Sequence, residues 1–123
     1  MGETKILKFD ENDDVFECIK EFAQKNNIEH AFIKDAKGSI KNFEISSFAG
    51  KGSIENIKER SAREITAING QLTASNGIPE LHLKVSVSRP GLSSISGKLL
   101  SAKAVEGLEI ALQKSSVEKI IYA

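Results

Sequence analysis

Apolar and polar residues alternate most regularly between Ile78 and Arg89. Leu81, Leu83, Val85 and Val87 interleave with His82, Lys84, Ser86 and Ser88. An extended chain with this pattern turns one apolar and one polar face. Arg89-Pro90-Gly91 ends the run, because proline has no amide to donate and glycine accepts turn torsions. Beyond the turn the pattern predicts a short strand at Ser96-Gly97-Lys98 and another ending in Glu109-Ile110-Ala111-Leu112.

The same alternation predicts a first strand over 5–9, with Leu7 and Phe9 on one side. Asp10, Glu11, Asp13 and Asp14 then cluster ahead of a helical period, where carboxylates cap free amides and face the positive end of the helix dipole. A calcium loop would need ligand spacing and a glycine that this run lacks. The helix is expected from Asp14 to Asn26, with Val15, Phe16, Ile19, Phe22 and Ala23 forming its apolar stripe. Asn26-Asn27 suits a left-handed stop.

From Ile28 the period shortens. Strands are expected around Ala31-Phe32-Ile33, over 43–48 and over 63–68, with Lys37-Gly38-Ser39 as a turn and Ala49-Gly50-Lys51-Gly52 as a hairpin. Residues 53–59 fit either a helical spacing or an edge strand. Asn69-Gly70 suits a two-residue turn closing the strand before it, and Ser75-Asn76-Gly77 a second turn. Val117 to Tyr122 is a last β-rich segment. Many short strands and one covering helix predict an α+β fold of mostly antiparallel sheet, with residues 1–123 as a single domain.

Composition excludes more than it selects. Seventeen basic residues balance seventeen acidic ones, and the pI is about 6.7, so no basic block announces nucleic acid. Cys18 is the sole cysteine, which rules out an intramolecular disulfide and a cysteine zinc cluster. In the helical pattern it reads as a small buried apolar group. Neither a signal-peptide core nor a membrane-length apolar run occurs, so a cytoplasmic location is expected. His30, just ahead of an apolar run, reads as a surface or capping residue, and the glycine pairs lack the context of phosphate loops.

Several strings, in this order of elements, resemble the plant and prokaryote conserved (PPC) domain over nearly the whole chain. Glu64-Ile65-Thr66-Ala67-Ile68-Asn69-Gly70 resembles the family's Glu-Ile-Leu-Ser-Leu-x-Gly strand. Leu81-His82-Leu83 resembles the second half of its His-Leu-His strand, Gly97-Lys98-Leu99 its Gly-His-Leu turn, and Glu109-Ile110-Ala111-Leu112 its closing Glu-Val-Val-Ile strand. The resemblance implies an antiparallel α+β fold, assembly as a homotrimer, and kinship with proteins described as DNA-binding. Plant relatives pair the domain with AT-hook peptides. Here Ser88-Arg89-Pro90-Gly91 is only a fragment of such a hook, and a turn accounts for it.

The family also implies a trio of metal-binding histidines, from His-x-His and Gly-His. Glu80 stands at the first position, His82 keeps the second and Lys98 replaces the third. A protonated lysine has no lone pair to offer a metal. Glu80 and His82 could still offer a divalent metal two weak ligands, short of the three or four a tight zinc site needs, so no cofactor is expected, and Lys98 is expected to pair with Glu80 in place of one. Two functions remain: a non-enzymatic homotrimeric binding module, with weak DNA binding at most, or a small-ligand protein or enzyme using Glu80, His82 and Lys98.

Overall fold

Alternating burial makes the strands, and the computed structural model, which describes residues 4–48 and 54–115, follows that alternation closely. In chain order the elements are β1 (Thr4–Lys8), α1 (Val15–Lys25), β2 (His30–Lys37), β3 (Ser39–Phe48), β4 (Ile54–Glu59), β5 (Arg63–Ser75), β6 (Ile78–Arg89), β7 (Leu92–Ala104) and β8 (Glu109–Lys114). All strand pairs are antiparallel, in the order β1-β8-β2-β5-β6-β7-β3-β4. This is the antiparallel α+β architecture the alternation predicts.

The sheet does not stay open. β3 returns to pair with β5 at Ser39↔Glu64 and Ile40↔Arg63, so β3, β5, β6 and β7 close into a ring. Large apolar side chains including Ile40, Ile45, Leu72, Leu83 and Leu99 are fully buried; each such burial is worth about 1.5–3 kcal/mol relative to exposure. Helix α1 packs on β6 and β7. Val15, Ile19 and Ala23 are buried, and Phe16 and Phe22 pack at the rim of the same stripe. Asp14 caps the helix by accepting from the Glu17 amide at 3.0 Å, and Asn27, at φ 52, supplies the left-handed exit. Among the described residues no helix is long and apolar enough to cross a membrane.

Two sequence expectations need correction. Asn69-Gly70 is not a turn; β5 runs straight through it, with Asn69 paired to Lys84 and Gly70 to both Leu83 and Ile33. A strand hydrogen-bonded on both sides commits its backbone to the ladder, and that context outranks turn propensity. Likewise Gly97-Lys98-Leu99 is neither a turn nor a short strand, but the middle of the 13-residue β7. At 54–59, of the two readings left open, the edge strand β4 forms, because Phe43–Phe48 of β3 offers it a partner throughout. Asn76-Gly77, with both φ angles positive, is the turn expected of it. The hairpin expected at 49–52 and the segment at 117–122 lie outside the described residues.

Candidate functional site

The helix covers the interior side of the strands and leaves their polar side open. On that side the register arranges side chains in rows, since residues directly opposite on neighbouring strands share a face. One row crosses four strands: Asn69 on β5, Lys84 on β6, Lys98 on β7 and Ser46 on β3. Beside it runs Phe32, Gln71 and His82, and on the other side Ala67, Ser86 and Ser96. Two open grooves of about 600 and 560 Å³ meet along the lysine row, sharing Asn69, Lys84 and Lys98 in their walls.

Lys84 and Lys98 are like charges placed face to face, an arrangement that destabilises a strand pair. Among the described residues neither ammonium has an ion-pair partner. Two acids of this face have other neighbours. Glu80 lies 3.8 Å from His82 Nε2, and Glu44 accepts from the Asn56 amide at 2.9 Å. Ser86 and Ser96 share a 2.7 Å hydrogen bond. At the far end of the groove the His30 ring meets Phe32 edge-on at 5.0 Å. Lys34 Nζ stands 6.0 Å from the Phe32 ring centre. The Gln71 amide nitrogen is 3.1 Å from His30 Nε2 and donates to it when that ring nitrogen is bare.

Of the three residues the sequence singles out, His82 and Lys98 both line the first groove, while Glu80 sits further along β6 opposite Thr73. All three lie on the polar side. Within the chain the expected Glu80–Lys98 pair does not form, because the register sets Lys98 against Lys84 and leaves Glu80 to His82. Lys84, Asn69 and Gln71 complete the site and were not singled out from sequence. Lys84 does carry a signal, as the next polar position after His82 on one strand face; its meaning depends on which residue of β7 comes opposite.

The profile of a family described as the Plants and Prokaryotes Conserved (PCC) domain matches residues 1–116. Comparison with curated proteins gives no match. Among solved structures, a plant- and prokaryote-conserved protein from Pyrococcus horikoshii is 25% identical, with a TM-score of 0.78 over 93% of this chain and 81% of that one. A metal-containing protein from Archaeoglobus fulgidus is 23% identical, with a TM-score of 0.77 over 92% and 79% of the two chains. A candidate DNA-binding protein from Bacteroides thetaiotaomicron is 22% identical, with a TM-score of 0.76 over 94% and 80%. A metal ion does not fit the residues found here. Glu80 and His82 are two donors on side chains 68% and 61% exposed, and a lysine ammonium holds the third position. Among the described residues no three His, Cys, Asp or Glu side chains converge.

Proposed function

Because the chain belongs to the Plants and Prokaryotes Conserved domain family, we propose that it is a non-enzymatic binding module, assembled as a homotrimer and working through the open face of its sheet. The observation that carries this reading is the lysine row: two cations held opposite each other, without an acid, in the middle of a broad polar face. Such a face attracts anions.

DNA, the ligand suggested for the Bacteroides relative, is bound weakly and without sequence selectivity. Duplex affinity comes largely from neutralised phosphates, with a slope of about −0.9 in log K against log salt for each. Lys34, Lys84 and Lys98 line one groove, so the slope per chain is no steeper than about −3. A gel-shift titration at physiological salt, with two unrelated duplexes, is expected to show equal retention at micromolar or higher protein. Nanomolar, sequence-dependent retention overturns this reading.

Self-association is supported by the two sheet ends. Among the described residues the order stops at β1 and β4, and Ile6 and Ile54 on those strands are 54% and 67% exposed. Unpaired edges and exposed apolar side chains are commonly covered by another chain. Light scattering is expected to give three times the 13.4 kDa chain mass; a monodisperse monomer removes the claim. The lone cysteine suits a reducing compartment, and we assign the module to the cytoplasm. The second reading, a small-ligand protein, is favoured by one observation: His82 and Lys98 share a groove of small-molecule size.

A further inference from the structure

We propose that the groove around Lys84 and Lys98 is a binding site for a small organic phosphate, with the two ammonium groups clamping its oxyanion from adjacent strands. The inference rests on the reading of the open face as a binding surface; it does not depend on the trimer. Strand register holds the two lysines directly opposite each other, with Cβ atoms about 4.5–5.5 Å apart. Their flexible stems let both ammonium groups reach one anion lying between them. Without an anion the pair only repels, since among the described residues no carboxylate forms an ion pair with either ammonium. An oxyanion turns a like-charge repulsion into two charge-assisted hydrogen bonds.

The row continues on both sides with neutral donors, the Asn69 amide and the Ser46 hydroxyl. These suit the remaining phosphate oxygens. The adjoining groove, about 600 Å³, runs from the lysines to Phe32, which gives the organic part of the ligand an apolar wall. That volume falls in the range of small-molecule sites, roughly 300–1,000 Å³.

A small ligand fits better than a duplex for two reasons. The cationic charge is concentrated at one point on a chain of zero net charge, whereas a duplex spreads its charge along the helix and needs a stripe of cations. A phosphate monoester carries about −1.5 to −2 at neutral pH, with a second pKa near 6, and so matches two ammonium groups.

The test uses the full chain in its native assembly, with phenyl phosphate, inorganic phosphate, a short DNA duplex and sodium chloride at matched ionic strength. Calorimetry and thermal melting are read on wild type, Lys84→Glu and Lys98→Gln. Lys84→Glu places an acid opposite Lys98, so it keeps a cross-strand pair while destroying the clamp; melting without ligand checks that it folds. Expected are saturable binding of phenyl phosphate, one per chain, and a rise in melting temperature that chloride does not reproduce. Binding is expected to be lost in Lys84→Glu and weakened by about tenfold or more in Lys98→Gln, as befits a charge-assisted hydrogen bond. Equal binding by folded Lys84→Glu overturns the proposal, as does the lack of saturable wild-type binding at millimolar phenyl phosphate. Binding of the duplex without binding of phenyl phosphate also overturns it, while leaving the binding-module reading intact.

Discussion

Gly70 and Gly97 lie next to Asn69 and Lys98 of the lysine row, and each is a point where two strands come too close for a side chain. A Cβ at Gly70 would stand 2.3 Å from the His82 carbonyl oxygen, and one at Gly97 the same distance from that of Ser46. Backbone cannot give way as a flexible side chain can, so a methyl group there must push the strands apart. Gly97→Ala is expected to cost about 1–3 kcal/mol, the usual range for overpacking. Ser94→Ala, an exposed change in the same strand, is expected to stay within about 0.5 kcal/mol. Urea denaturation midpoints compare the two. Cys18 is half-buried against the core, more open than its sequence context suggests. Burial pushes its thiol above the ordinary value of 9.0, helped by the acids Asp13, Glu21, Asp14 and Glu17 around it. The thiolate is the reactive form, so native Cys18 should react with iodoacetamide at neutral pH more slowly than in the urea-unfolded chain. Equal rates would contradict this account of its surroundings.

At the scale of elements, the acidic run before α1 divides its labour. Asp14 caps the helix, and Glu11 ties the loop ahead of it to the turn before β8. The Glu106 amide donates to Glu11 Oε1 at 2.8 Å, and the Glu11 amide donates to Glu106 Oε1 at 3.1 Å. Lys41 Nζ on β3 donates to Glu11 Oε2. The Lys41 hydrogen bond first, then the Glu106 amide, holds the Glu11 carboxyl below its ordinary 4.5. A carboxyl with a depressed folded pKa adds stability above its unfolded value, and this is lost as pH falls through the folded one. The loss therefore belongs below pH 4.5. Melting temperatures followed downward from neutral pH should fall less steeply below 4.5 for Glu11→Gln than for wild type. Parallel curves would show that the contact is not linked to stability.

For the whole molecule, the closure of β3 onto β5 leaves a ring with a shared core, and among the described residues the sheet ends at β1 and β4. If those ends are covered in a trimer, folding and assembly are linked, and the melting temperature rises with protein concentration. A melting temperature constant over a hundredfold dilution would separate the two and count against the trimer.

The sequence by itself determined the helix, the fold class and the buried face of most strands. Val15, Ile19 and Ala23 of the helix, and Leu81, Leu83, Val85 and Val87 of β6, are apolar at the period of the element they belong to, and all are buried. That period is local, so it can be read along the chain. Which residue comes opposite another was decided only by tertiary structure, because register depends on how distant strands slide past each other as the core fills. Asn69-Gly70 and Gly97-Lys98 carry the composition of turns, yet became strand centres once both neighbouring strands claimed their backbones. Lys98 was visible as a replaced histidine, but its place opposite Lys84 was not. Those two lysines are 14 positions apart in sequence, joined by a turn whose bulge shifts the pairing between Val87 and Arg89. One residue more or less in that shift would turn Lys98 into the core and dissolve the row.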